Sequence, residues 1–251
     1  MTIETILSPA ELNSIARREG RGTACVVFDI LRATSTFVTA LHHGAREIIP
    51  VSEISEAVAL RGKNPGSRLA GERDGVKIRA AQSGGIDFDF GNSPHEFTPE
   101  RVRGQTIVST TTNGTRALRA GAGAECVLAA SFLNLAATAK FLLAKNFSTV
   151  LLVCAGTGEG VALEDVLAAG ALAELLTARA DARPTVSDSS LIALKTFTEM
   201  KSDLSAAIGS SQNGRRLLAI PELRDDVAFC AQRDVFDLVA VMEADGALRR
   251  V

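Results

Sequence analysis

The chain reads as a layered α/β/α protein built on a largely parallel or mixed sheet, and three observations lead there. Short apolar runs of strand length recur through the first two thirds of the sequence. Segments carrying Ala, Leu and charge at helical spacing separate them, which is the alternation expected of β and α elements in layers. Polar or glycine-bearing turns follow several of the runs, at the strand ends where an open α/β sheet gathers its ligands.

Residues 24–28 (ACVVF) form the first clear run, and an unbroken apolar stretch suits a strand covered on both faces. A helix is expected over 35–43, ending in His42 and His43, whose rings suit the negative end of a helix dipole. A second strand spans 47–51. Residues 63–99 are rich in Gly and Pro and read as a long functional loop region, not a domain boundary. Strand 106–108 then leads to helix 115–120, strand 126–130 to helix 135–145, and strand 150–154 to helix 163–180. The order VFDILRAT, helix, IIPV is echoed by LAASFLNLAAT, helix, VLLV; two similar halves and two unrelated α/β units both make such a pattern. With no low-complexity linker, residues 1–251 are taken as a single compact domain.

At 251 residues the chain is long enough to bury a large core. Lys and Arg number 27 against 29 Asp and Glu, so no extended basic surface points to nucleic acid or membrane, and an anion site has to be local. Cys25, Cys126, Cys154 and Cys230 are scattered, and three lie in apolar segments, which indicates reduced, buried thiols and a cytoplasmic protein. No Cys/His spacing supports zinc. No signal-peptide order opens the chain, and its apolar stretches are too short or interrupted to span a bilayer. The apolar content allows self-association, for instance as a homodimer, without fixing the oligomeric state.

The stretch Ser109-Thr110-Thr111-Thr112-Asn113-Gly114-Thr115-Arg116 follows a strand and opens a helix. Hydroxyls, free backbone N–H groups and the helix dipole there favour an anion, Gly114 permits positive φ, and Arg116 adds a cationic fork. A plain polar N-cap is the simpler alternative. Asp29 ends the first strand and stands to bind a hard cation, act as a base or attack phosphorus; capping its helix or pairing with Arg32 is the structural alternative. Ile30 and Leu31 break any D-x-D pattern, which weighs against direct attack. Glu164 and Asp165 follow the strand and glycine loop LLVCAGTGEG; they either join Asp29 in an oxygen-rich Mg²⁺ site or complement the dipole of the helix they begin. That loop is not a dinucleotide fingerprint, and no phosphate-binding G-x-x-x-x-G-K-[ST] occurs. GERDG at 71–75 and FDFGNSP at 88–94 are glycine-bounded turns that often line sites.

Together, FDILRATST, GERDG with DFGNSP, STTTNGTRAL with ASFLN, and VCAGTGEGVALED resemble the 2-phosphosulfolactate phosphatase family of coenzyme M biosynthesis, across most of residues 24–170. The tail SQNGRRLLAIPELRDDVAFCAQRD is similar to the family's ending. Residues 79–85 form a longer link than is usual in that family. The resemblance implies a Mg²⁺-dependent hydrolase that takes a small phosphorylated anionic substrate to 3-sulfolactate and phosphate. It implies that Asp29, Arg32 and Glu72 act in catalysis, and that Arg73, Asn92, Ser93, Thr111, Thr112, Asn113, Gly114, Thr115, Arg116 and Ser131 contact substrate. Asp29, Glu164 and Asp165 would hold the metal. A phosphatase for another small phosphorylated hydroxy acid or sugar acid stays open, as does a non-catalytic anion-binding protein of the same fold.

Overall fold

The structure, a computed structural model, describes residues 1–15, 20–179 and 183–251. Its eleven strands are β1 (Thr2–Ile6), β2 (Thr23–Phe28), β3 (Glu47–Pro50), β4 (Arg68–Arg73), β5 (Val76–Lys77), β6 (Thr106–Thr110), β7 (Cys126–Ala130), β8 (Thr149–Cys154), β9 (Thr185–Val186), β10 (Ala240–Met242) and β11 (Leu248–Arg250). They lie in the order β5-β4-β6-β3-β11-β10-β7-β2-β8-β1-β9. Two parallel groups, β4-β6-β3 and β7-β2-β8-β1-β9, are joined by the antiparallel hairpin β10–β11. The sheet is therefore mixed but mostly parallel, as expected.

The period of two along each strand sends side chains to two cores. In β2, Ala24, Val26 and Phe28 enter one core while Cys25 and Val27 enter the other; Val150, Leu152 and Cys154 of β8 divide from Leu151 and Val153 in the same way. On the second face lie α1 (Leu12–Ile15), α2 (Ala33–His42), α5 (Pro99–Val102) and α6 (Gly114–Ala120). The first face carries α7 (Leu135–Lys145), α8 (Leu163–Arg179), α9 (Asp188–Met200), α10 (Leu204–Gly209), α11 (Gln212–Leu218) and α12 (Arg224–Cys230). A smaller cluster joins α3 (Ile54–Lys63) to β4 and β6 through Ala57, Leu69 and Val108. The echoing units β2–α2–β3 and β7–α7–β8 place their helices on opposite faces.

Each sequence-predicted strand and helix is present within a few residues of its expected bounds, and residue 180, the expected end of α8, lies outside the described residues. The long loop expected over 63–99 is the main correction, because it contains β4, β5 and α4 (Ala80–Ser83). The strand RLAGER carries charge at both ends, so its identity comes from pairing in parallel with β6, Ala70 opposite Ser109 and Gly71 opposite Thr110. Asp74 (φ 56°) and Gly75 (φ 77°) then make the two-residue, doubly left-handed turn that suits a tight β4–β5 hairpin.

Of the histidine pair expected at a helix end that favours cations, His42 is held toward the neutral form. His42 stacks on Phe236 with ring centroids 4.0 Å apart, and burial, with His43 and Arg250 nearby, pushes its pKa below the usual value. His43 contacts the Phe97 carbonyl at 2.6 Å through Nδ1. All four cysteines are free, and burial pushes the Cys25 and Cys230 thiols up to about 12, which leaves them chemically quiet. Among the described residues no helix is long and apolar enough to cross a membrane.

Candidate active site

Loops from both parallel groups converge on a cleft of about 260 Å³ beyond the strands' carboxyl ends. Asp29 and Arg32 reach it after β2, Glu72 and Gly75 from the β4–β5 hairpin, Thr112 and Asn113 after β6, and Gly156 to Gly158 after β8. The opposite wall is α11, through Asn213 and Arg216.

Asp29 stands where β2 gives way to α2. Its Oδ1 accepts the Ala33 N–H at 3.1 Å, and its own N–H donates to Thr34 Oγ1 at 3.0 Å. Burial pushes the carboxyl up to about 7, the charges of Glu72 and Glu164 push the same way, and the Ala33 and Gly114 N–H groups pull against them. Gly114 is needed for close approach and not for a positive φ. A Cβ there would sit 2.6 Å from Asp29 Oδ2 and 2.7 Å from the Ala33 Cβ, so glycine is what lets α6 start against this carboxylate.

Glu72 is a clasp between two loops. Its Oε1 accepts both the N–H and the hydroxyl of Thr112, each at 2.9 Å, and its Oε2 accepts the Gly75 N–H at 2.7 Å. Asn113 ties the same turn to the far loop, donating from Nδ2 to the carbonyls of Ala155 (2.8 Å) and Gly158 (2.9 Å). Arg32 is buried and doubly held, by Asp226 Oδ2 at 2.7 Å and the Gly75 carbonyl at 2.7 Å. Asp226 also accepts the Ser93 hydroxyl at 2.6 Å, so Ser93 stands behind Arg32, while neighbouring Asn92 lines the cleft.

Several expected site residues lie elsewhere. Thr111 and Thr115 bracket one another, Thr115 N–H on Thr111 Oγ1 at 3.2 Å and Thr115 Oγ1 on the Thr111 carbonyl at 3.0 Å; both are buried and shape the turn. Arg116 points outward to Glu159 at 2.6 Å, an exposed pair of small energetic weight. Ser131 is buried as a helix cap, accepting the Leu133 N–H. Arg73 pins its own strand to β6 through Thr110 Oγ1 at 3.0 Å, and also donates to the carbonyl of its neighbour Glu72 at 2.7 Å. Each was a polar residue near a promising turn whose side chain met a protein partner instead of the cleft, a local one for Thr111, Thr115 and Ser131.

The three carboxylates expected to hold a metal differ in their surroundings. Asp165 is buried, with Oδ1 on the Ile30 N–H (2.8 Å) and Oδ2 on the Gly156 N–H (2.9 Å); it braces the β2 and β8 loops. Burial, then Glu164 and Asp29, hold its pKa well above the carboxylate range. Among the described residues, no group of three or more His, Cys, Asp or Glu side chains is disposed to hold a metal ion. Glu164 differs from Asp165: its Oε1 accepts from Asn213 Nδ2 at 2.7 Å, while the buried Oε2 has no hydrogen-bond partner among the described residues. A hard divalent cation needs only one or two protein carboxylates beside water and substrate oxygens. Asp29 and Glu164, electrostatically coupled and with a buried oxygen left over, fit that requirement.

Asn213, Arg216 and Asp226 belong to the site and were assigned no role from sequence. Their signal was the stretch QNGRR followed by RDD, polar residues in a segment otherwise rich in Leu and Ala.

These features define a class, the layered α/β proteins with a ligand cleft in loops beyond the carboxyl ends of a parallel sheet. The family model for 2-phosphosulpholactate phosphatase matches residues 8–245. A probable 2-phosphosulfolactate phosphatase of Caldanaerobacter subterraneus is 41% identical over 233 residues, covering 90% of each chain. One from Thermotoga petrophila is 39% identical over 217 residues (86% of this chain, 88% of the relative), and one from Gloeothece citriformis 34% over 225 (89% and 90%). The chain belongs to the 2-phosphosulpholactate phosphatase family, whose name describes a phosphoric monoester hydrolase.

Proposed function

We propose that this protein hydrolyses 2-phosphosulfolactate to 3-sulfolactate and phosphate. What supports the reading most is the meeting, in one cleft, of Asp29, Arg32, Glu72 and Thr112 with the family membership of the whole chain. Water forms a bond to phosphorus, the P–O ester bond breaks, and the departing alkoxide takes a proton. Such a step depends on positioning and charge neutralisation. Arg32, fixed by Asp226 and the Gly75 carbonyl, aims a guanidinium edge along the cleft wall and offsets phosphoryl charge. The Glu72 clasp holds the Thr112 turn against the β4–β5 hairpin, so the cleft keeps its width. Without a cation Asp29, with a pKa of about 7, is able to hold a proton at working pH, and a bound cation would displace that proton. Asp29 and Glu164 would hold Mg²⁺, which when bound supplies positive charge opposite the phosphoryl oxygens.

The direct experiment is phosphate release from 2-phosphosulfolactate, phospholactate and phosphoglycerate, with Mg²⁺ and with chelator. Fastest release from the sulfonated ester, lost on chelation, is the expected outcome; no release from any of the three overturns the reading. Gly114→Ala tests the geometry. The added methyl collides with Asp29 and Ala33, which should cost about 1–3 kcal/mol of stability and lower kcat about a hundredfold through misplacement of the carboxylate. A Gly114→Ala enzyme with unchanged kcat would contradict this placement.

A further inference from the structure

The cleft holds two arginines in different states. Arg32 is buried and its charge is compensated by Asp226. Arg216 is exposed at the rim, lines the same cleft, and among the described residues has no hydrogen-bond or ion-pair partner. The two flank one turn: Arg32 donates to the Gly75 carbonyl at 2.7 Å, and Arg216 NH2 lies 3.4 Å from where a Cβ on Gly75 would stand.

Arg216 is also held in place from its own helix. Leu217 beside it is buried, and a Cβ on Gly214 would come within 2.1 Å of the Ile208 carbonyl, so α11 packs tightly against the end of α10. Asn213, one helical turn before Arg216, donates to Thr157 Oγ1 at 2.6 Å and to Glu164 Oε1 at 2.7 Å. The same helix thus touches the acidic floor through Asn213 and presents an unspent guanidinium at the mouth. An uncompensated arginine in a polar cleft is a ready partner for an oxyanion, and its planar fork meets two oxygens at once.

We propose that Arg216 is a specificity-determining residue that binds the non-reacting sulfonate of the substrate at the cleft mouth, while the phosphate lies deeper, toward Asp29 and Arg32. This rests on the phosphatase reading above. A sulfonate stays ionised at all working pH values, so a fixed cation at the rim discriminates a sulfonated phosphoester from one lacking that group. The residue binds substrate and takes no part in bond breaking, so its loss acts on KM.

The test uses Arg216→Gln and Arg216→Lys in two measurements. In steady-state kinetics, the ratio of kcat/KM for 2-phosphosulfolactate over 2-phospholactate should fall about thirtyfold in Arg216→Gln, through KM for the sulfonated ester, with Arg216→Lys recovering part of it. In calorimetry, 3-sulfolactate should bind wild type more tightly than lactate does, and Arg216→Gln should erase that preference. Equal binding of the two acids by wild type, or an unchanged preference in Arg216→Gln, overturns the assignment. Absence of phosphate release by wild type overturns the phosphatase reading instead, and the calorimetry still decides the role of Arg216. Because the side chain is exposed and without a protein partner, both variants should melt with wild type.

Discussion

Asp29→Asn should lower phosphate release by about a thousandfold and, at pH 8 without divalent cations, melt at a higher temperature than wild type. The two effects have one origin. In the unfolded chain the carboxyl titrates near 3.8, and in the folded protein it is pushed up to about 7 by burial and by Glu72 and Glu164. A raised folded pKa means that the stability it contributes is complete below about 3.8 and is lost as pH rises through about 7. At pH 8 wild type therefore carries a buried negative charge that the amide does not, a difference with an upper bound of ~4 kcal/mol. For a chain of this size that corresponds to at most about 8–16 °C. The gap between variant and wild type should close on lowering the pH to 4. If Asp29 and Glu164 hold Mg²⁺, adding the ion at pH 8 should raise the wild-type melting temperature and leave Asp29→Asn nearly unmoved. A variant that melts with wild type at pH 8, or one that keeps a tenth of the activity, would remove Asp29 from the centre of the mechanism.

Of the parallel strands, β2, β3, β6, β7 and β8 were legible, the central ones because they are buried on both faces, while β1, β4 and β9 were not. Continuous apolar runs such as ACVVF and VLLVC signal that burial directly, and the turns after them gave the binding edge of the sheet. β4, β10 and β11 were not legible. They are short or carry charge, and their extended shape comes from neighbours distant in sequence, such as Val241 opposite Leu128. The site divided along the same line. Asp29, Arg32 and Thr112 follow readable strands and Glu72 ends a strand that was not legible but opens the readable GERDG turn, and all four reach the cleft. Thr111, Thr115 and Ser131 have the same residue chemistry, but a rotation of one position along a turn sends a hydroxyl to the backbone instead of the cavity. Asn213, Arg216 and Asp226 lie some fifty or more residues beyond Glu164 on short helices, and only the folding of those helices over the first face of the sheet brings them to Glu164, Gly75 and Arg32.

Asp226→Leu should be the most destabilising single change in the site. Arg32 and Asp226 are each almost wholly buried, their contact is 2.7 Å, and Asp226 Oδ1 also accepts the Ser93 hydroxyl. Removing the carboxylate leaves a guanidinium buried with only the Gly75 carbonyl, and breaking such a pair costs about 3–5 kcal/mol, or on the order of 10 °C in melting temperature. The double variant Arg32→Met/Asp226→Leu separates stability from function. An apolar pair of similar volume replaces both charges, so most of the lost stability should return, to within about 2 kcal/mol of wild type. Activity should not return if, as proposed, Arg32 offsets the charge of the phosphate. A double variant as unstable as Asp226→Leu would mean that the polar network is required for packing. Restored activity in the double variant would mean that Arg32 never served the phosphate. The expected outcome, a stable and inactive protein, would show that this buried pair is kept for the chemistry of the cleft and not for the fold.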